Sequence, residues 1–157
     1  MRALLQRVLN SDVSVDGKTV GAIGRGFNIL LGVMEGDTEA EAEQLAAKVA
    51  KLRVFEDENQ KMNLSIQDVD GEILVISQFT LCADCRKGNR PSFVFSAAPD
   101  RANELYLYFC DLLHREGVRK VEHGVFGADM KVNIVNDGPV TIMLDSDMWK
   151  QPRRAQG

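Results

Sequence analysis

Only two stretches of this chain repeat apolar residues at three- and four-residue spacing, and that restricts its fold more than any other feature. In "TEAEAEQLAAKVAKLRVF", Thr38 to Phe55, the residues Ala42, Leu45, Ala46, Val49 and Leu52 form one stripe. Thr38 and Glu41 stand in the spacing of a capping box, and the acidic run behind Thr38 is a solvated first turn favoured by the helix dipole. In "PDRANELYLYFCDLLHREG" the stripe is Leu105, Phe109, Leu112 and Leu113, and Gly117 suits the helix end. The chain therefore has two amphipathic helices, each with one face to bury.

The remaining segments read as strands and turns. "VSVDGKTVGAI" places Asp16-Gly17 between two strand-like runs, the dipeptide favoured in a tight hairpin. "FNILLGV" is a short buried run. "KMNLSIQDV" alternates through Met62, Leu64 and Ile66, and Asp70-Gly71 then leads into "EILVISQFTL", a second hairpin signal. The end of the chain reads as "VRKVEHGVF", "MKVNIV" and "VTIMLD", with Asn136-Asp137-Gly138-Pro139 as a turn before the last. Several hairpins and two helices predict an α+β fold, a curved antiparallel sheet or open β-barrel with the helices packed outside. At 157 residues, one domain over 1–150 is expected, burying roughly two thirds of its unfolded surface, with 151–157 as a loose tail.

Charge and cysteine usage narrow the function. A net charge of -4 disfavours a protein that coats nucleic acid through phosphate contacts, leaving small-molecule or end-on RNA recognition open. Basic residues gather only in "CRKGNR" (Arg86, Lys87, Arg90) and in "WKQPRR" (Lys150, Arg153, Arg154), where a few phosphates could be met and where a solvated surface is the default. Three cysteines cannot all pair within one chain, and no run is long and apolar enough for a membrane span or signal core, so a reducing cytoplasm is expected.

The common catalytic signatures are missing. Cys82 and Cys85 make a Cys-x-x-Cys, but no second half completes a zinc site and no βαβ context supports a redox pair, so no metal is expected. His114 suits a helix C-terminus, and His123 lies in a strand without a visible acid partner or nucleophile elbow. "SQFTL" is more informative. Ser77, Gln78 and Thr80 collect hydrogen-bonding side chains where a strand meets a loop, a place suited to lining a pocket and holding a carbonyl; a strand end turning into loop is the plainer reading.

"LLQRV", "SQFTL", "KGNRPSF", "PDRANELY", "FGADM" and "VNDGPVT" occur in one order from Arg2 to about Leu144, and together they resemble the D-aminoacyl-tRNA deacylases. The resemblance implies a homodimer that hydrolyses the ester joining a D-amino acid, and also glycine, to the 3′-terminal adenosine of tRNA. It implies no cofactor, a cytoplasmic location and no membrane partner. The family's two hallmark segments match Ser77, Gln78, Phe79 and Thr80, and Gly138-Pro139, the latter as a cis peptide reaching into the other subunit's active site. A proline between two strand-like runs would then serve recognition, with main-chain carbonyls gripping the substrate ammonium and rigid backbone excluding an L side chain.

By the same resemblance Phe126 and Met130 pack around the adenosine or the acyl group, against the plainer reading of two core residues, and Arg7 braces the Gly-Pro element with its fixed donor fork. Two mechanisms stay open. Thr80 attacks as a nucleophile, which requires an adjacent base; or the protein positions the ester, N–H groups near Phe79 and Thr80 hold the oxyanion, and water attacks with help from the ribose hydroxyl. The second is favoured because no base is evident. A non-catalytic nucleic-acid-binding module and a thiol enzyme using Cys82 and Cys85 are the alternatives from other classes.

Overall fold

The computed structural model describes residues 1–154. Strand β1 (Arg2–Val15) turns at Asp16-Gly17 into β2 (Lys18–Ile23), and β3 (Gly26–Gly32) returns antiparallel along β1. Both turn residues have positive φ, 50° and 77°, as a hairpin whose twist matches its strands requires. Helix α1 (Glu39–Lys51) starts on the predicted box: Thr38 Oγ1 accepts from Ala40 N, and the Glu41 carboxylate accepts from Thr38 N at 2.7 Å. Ala42, Leu45, Ala46 and Val49 are buried, so the stripe faces the core.

The sheet is mixed, which corrects the expectation of an antiparallel one. The segment around Met62 does not pair with the run after Asp70-Gly71: β5 (Met62–Leu64) pairs with β4 (Phe55–Glu56) in a small separate sheet. After the turn, with Asp70 at φ 48°, β6 (Glu72–Ser77) lies parallel to β3. Helix α2 (Pro99–Arg115) then carries the chain to β7 (Val121–His123), parallel to β6. Each parallel pair spans a helix, the connection that parallel strands need. The turn dipeptide sets a local bend, whereas the strand's partner is chosen by where the helix packs.

Strand β6 is buried on both faces. Ile73 and Val75 join the larger core beneath the helices, with Phe27, Leu45, Phe55 and Phe109, while Leu74 and Ile76 join a smaller one with Val8, Val13 and Ile23. Period-two alternation thus serves two cores, one under the helices and one inside the curved sheet. The sheet runs β2-β1-β3-β6-β7, and its outer strands approach each other: a Cβ on Gly21 of β2 would lie 3.1 Å from the His123 carbonyl of β7. It is a nearly closed, barrel-like sheet. Helix α2 ends as predicted, with Val118 N donating to Leu113 O and Gly117 N to His114 O at a Gly117 φ of 107°.

The last two expected strands are one. Strand β8 (Lys131–Asp145) runs antiparallel along β1 on both sides of Gly138-Pro139. Between the pairs Gln6–Thr141 and Val8–Asn136, two residue steps on β1 face five on β8, so the intervening residues are pushed out as a bulge. Ser146–Lys150 form a 3₁₀ turn, Gln151–Arg154 are exposed without regular structure, and the rest of the expected tail lies outside the described residues.

Candidate active site

A cleft of about 700 Å³ opens beyond the carboxyl end of β6. Its floor is Ile76, Ser77 and Gln78; one wall is Phe79 and Phe93, another the start of α2 at Ala98, Pro99 and Ala102, and the third is Phe126–Met130 with Val132. Carboxyl ends of parallel strands are the usual place for a pocket, because the helices that follow them splay apart there. The strand stops at Ser77 because Gln78 leaves the ladder, its N–H donating back to Leu31 O at 2.8 Å, and Phe79–Cys82 curl into a 3₁₀ turn. The first N–H groups of such a turn have no partner within it. Those of Phe79 and Thr80 occupy that position beside the cleft.

Of the residues singled out in the sequence, Ser77, Gln78, Phe79, Phe126 and Met130 line this one cleft. Thr80 sits just outside it, exposed, with its Oγ1 accepting from the Gln78 side-chain amide. His123 does not serve as its base: Nδ1 of His123 is 2.7 Å from the Gly124 carbonyl oxygen, and the ring packs edge-on against Tyr106. Tyr106 supports the cleft from behind, its hydroxyl donating to Val75 O at 3.1 Å. Burial pushes its phenol pKa well up, so it keeps its proton.

The aromatic walls are partly exposed. Phe79 and Phe93 pack edge to face at 4.9 Å between centroids, and Phe79 is 54% exposed, a large apolar ring left for something else to cover. Phe126 leans on Tyr106 at 6.1 Å. Met130 is seated by a glycine: a Cβ on Gly124 would come within 2.5 Å of the Met130 Sδ. The sequence reading did not single out Phe93, Ala98 or Pro99 as site residues. Ala98 stands at the N-cap of α2 with no side-chain cap, leaving the positive end of that helix open toward the cleft. An apolar residue where Ser, Thr or Asp is usual was the available signal.

Arg7, Gly138 and Pro139 do not line the cleft. They form the bulge of β8. Arg7 is buried, its Nε donating to Asp137 O at 3.1 Å and its Nη1 to Val54 O at 2.8 Å, with the carboxylates of Asp137 and Glu56 at 3.4 and 3.8 Å. Asn136 Nδ2 closes the neck by donating to Arg7 O and Val140 O, each at 3.0 Å. The Gly138-Pro139 peptide is cis, and both residues are exposed. Gly138 has a φ of 128°, and a Cβ there would sit 3.0 Å from Arg7 Nη2 and 2.9 Å from Val140 Cγ2, so only glycine fits.

The Cys-x-x-Cys thiols face different surroundings. Cys82 is buried, with its Sγ 3.5 Å from Val33 O, and Cys85 is exposed. Burial raises the pKa of Cys82 and pushes that of Cys110 up to about 12, which keeps both as unreactive thiols.

A family model described as D-Tyr-tRNA(Tyr) deacylase matches residues 4–145. D-aminoacyl-tRNA deacylases of Clostridium novyi (strain NT) and Paracoccus denitrificans (strain Pd 1222) are each 57% identical over 146 residues, 93% of this chain and 97% of theirs. Among solved structures, a c-Myc DNA unwinding element binding protein superposes with a TM-score of 0.87 at 43% identity, covering 92% of this chain and 98% of that one. A probable eukaryotic D-amino acid tRNA deacylase superposes with a TM-score of 0.80 at 19% identity, over 91% and 97% of the two chains, which speaks for a shared fold.

Proposed function

The chain belongs to the D-aminoacyl-tRNA deacylase family and is a hydrolase of that activity, a tRNA-binding proofreading enzyme; from this premise we propose how its parts divide the work. The cleft takes the 3′-terminal adenosine with its D-aminoacyl group, and Gly138-Pro139 of a second copy enters the mouth. The observation that carries this reading is that the bulge is braced from behind by Arg7 yet stands exposed, outside the cleft of its own chain. Leu9, Val135 and Met143, exposed on the same two strands at 54%, 44% and 48%, support a homodimer face around it.

In that arrangement the carbonyls of the bulge accept from the α-ammonium, which has three donors and no acceptor. With ammonium, ester and adenosine fixed, the two enantiomers differ only in where the side chain points. An L side chain meets backbone held by Arg7 and Asn136, and a D side chain points outward. Glycine carries nothing to exclude and is hydrolysed too.

The ester is already activated, so positioning suffices. Ser77 and Gln78 align it, the N–H groups of Phe79 and Thr80 receive the developing oxyanion, and water attacks the carbonyl carbon with the ribose 2′-hydroxyl assisting proton transfer. The carbonyl–oxygen bond to the ribose breaks, and the leaving oxygen takes a proton. Thr80 Oγ1 is engaged by Gln78 and meets no imidazole, which favours a positioning role over a nucleophilic one. Acting on charged tRNA assigns the protein to the cytoplasm, and among the described residues no helix is long and apolar enough to cross a membrane.

The test is the hydrolysis of D- and L-tyrosyl-tRNA by the wild type and by Thr80→Ala. Loss of the D ester alone, retained within about tenfold in Thr80→Ala, is the expected outcome. A fall to the uncatalysed rate in Thr80→Ala would make it the nucleophile. Equal inertness toward both esters, with salt-dependent binding to duplex DNA, would favour the binding role named for the c-Myc element relative.

A further inference from the structure

Between the two cleft residues Phe79 and Phe93 the chain makes an excursion whose role the cleft does not explain. Residues 84–92 form a lobe closed at its base by two backbone bonds, Asp84 N to Ser92 O at 2.7 Å and Ser92 N to Asp84 O at 3.0 Å. At its tip Gly88 adopts φ 65°, with nothing within 4 Å of where a Cβ would be, so the lobe stands in open solvent. It carries three cations, Arg86, Lys87 and Arg90, on a chain whose net charge is -4. Its one acid, Asp84, is taken by Arg86 through two bonds of 2.8 Å, and that pairing holds the carboxyl down to about 2, leaving the acid ionised throughout the working range. Lys87 and Arg90 are exposed and make no ion pair among the described residues.

Immediately beyond the lobe come Phe93 and Phe95, exposed by 36% and 43%. Unpaired cations beside exposed aromatic rings are what an unpaired nucleic-acid strand binds: the charges neutralise phosphates and the rings stack with bases, without reading sequence. A duplex, by contrast, needs a wide basic field, which this surface lacks.

We infer that this lobe holds the phosphates of the unpaired nucleotides that precede the terminal adenosine, with Lys87 and Arg90 as the contacts and the rings of Phe93 and Phe95 beside the bases. The inference rests on the deacylase reading of the cleft, because the base of the lobe at Ser92 adjoins the cleft residue Phe93 and so stands beside the site that the strand would enter. Two free cations imply a shallow salt dependence, roughly 0.7 per phosphate in the slope of log K against log salt, for about 1.4 in all.

The experiment compares D-tyrosyl-tRNA with D-tyrosyl-adenosine, which has the ester and the nucleoside but no phosphate. Wild type, Lys87→Ala/Arg90→Ala and the control Arg115→Ala are assayed across a salt series. Arg115 lies at the far end of α2, about 20 Å along the helix from Ala102 in the cleft wall. On tRNA the double variant should show KM raised on the order of tenfold at low salt, kcat unchanged and the slope reduced by about 1.4; on the nucleoside ester it should equal wild type, and Arg115→Ala should equal wild type on both. Uncharged tRNA at a concentration near the wild-type KM should also slow alkylation of Cys85, the exposed thiol on the lobe, in wild type and far less in the double variant.

Unchanged KM and slope on tRNA would overturn the inference, and so would equal loss on both substrates, which would make the lobe a support for the cleft. Wild-type inertness toward both esters is a different result: it removes the deacylase reading and this inference with it.

Discussion

The cleft opens at the end of one strand and the bulge interrupts the middle of another, and the two solve opposite problems. The cleft is concave and drawn from three separate stretches of chain, so its shape depends on how the end of β6, the start of α2 with the loop before it, and the loop before β8 pack together. The bulge is convex and local, a run of extra residues in β8 whose form is set by one glycine, one proline and two side chains, Arg7 and Asn136, that hold its backbone. A concave site tolerates side-chain motion in its walls, as Met130 shows by packing its flexible end against Gly124. A convex element made of main chain has less slack, since Arg7 holds the Asp137 carbonyl and a substitution elsewhere on the surface leaves it where it is. On the proposed reading, the difference gives affinity to the cleft and discrimination to the bulge.

The widest separation between the two should come from Arg7→Ala. It leaves the Val54 and Asp137 carbonyls without a donor and two carboxylates without a partner, for a stability loss of about 2–4 kcal/mol in denaturant unfolding. In the fraction still folded, D-tyrosyl-tRNA hydrolysis should drop on the order of a hundredfold, since a shift of about 1 Å in a positioning element is enough for that. Arg7→Lys keeps the charge and not the fork, so it should recover stability better than rate. Loss of rate and stability in equal proportion in both variants would contradict a bracing role.

A smaller effect is expected on the cleft side from Gly124→Ala. The new methyl meets the Met130 Sδ and drives that side chain into the cleft. KM should rise about tenfold with D over L preference intact, at a stability cost of about 1 kcal/mol. Adding Met130→Ala should recover part of the lost affinity, because it removes the displaced side chain along with its own wall contact. If the preference for D esters fell along with affinity, cleft and bulge would not divide the work as stated.

Alkaline pH tests the core that both regions share. Burial raises the Cys110 pKa from its ordinary value of 9.0 to about 12. The sign follows: the folded state prefers the protonated thiol, so its contribution is complete below pH 9 and is lost as pH rises toward 12. Unfolding midpoints should decline over that window, and Cys110→Ala should flatten the decline. The smallest effect belongs to the surface thiol: at pH 8 one cysteine per chain, Cys85, should react with iodoacetamide and three after unfolding, with kcat, and hydrolysis of D-tyrosyl-adenosine, unchanged by the single modification. Loss of kcat on both substrates on modifying Cys85 would return the thiol enzyme to consideration.

Much of the fold was legible residue by residue. Thr38 with Glu41, Asp16-Gly17 and Gly117 each act within a few residues of themselves, and each does in the structure what its local chemistry implied. The pairing of β6 was not legible, because "EILVI" is buried on both faces and would read the same in a parallel or an antiparallel sheet. Nor was the continuity of β8, where Asn-Asp-Gly-Pro has the composition of a turn and the structure makes it a bulge in a strand that never leaves β1. Of the polar cluster read at the strand end, Ser77 and Gln78 line the cleft and Thr80 does not, and Phe79 was marked only by the family resemblance; Phe93 was not singled out, since nothing local distinguishes a ring that packs on Phe79 from one in an exposed loop.

What this sequence determined by itself is therefore its two helices with the cap of the first and the end of the second, its first hairpin, its acidic balance and the ordered motifs that mark its family, most of them interactions or patterns spanning a few residues. What only the tertiary structure decided is which strands run parallel, that five of the marked residues share one cleft while Gly138-Pro139 and Arg7 stand apart from it, and that the lobe of Lys87 and Arg90 stands beside the cleft. Those are contacts between segments dozens of residues apart, and they exist only once the helices have buried their apolar faces and closed the sheet around its second core.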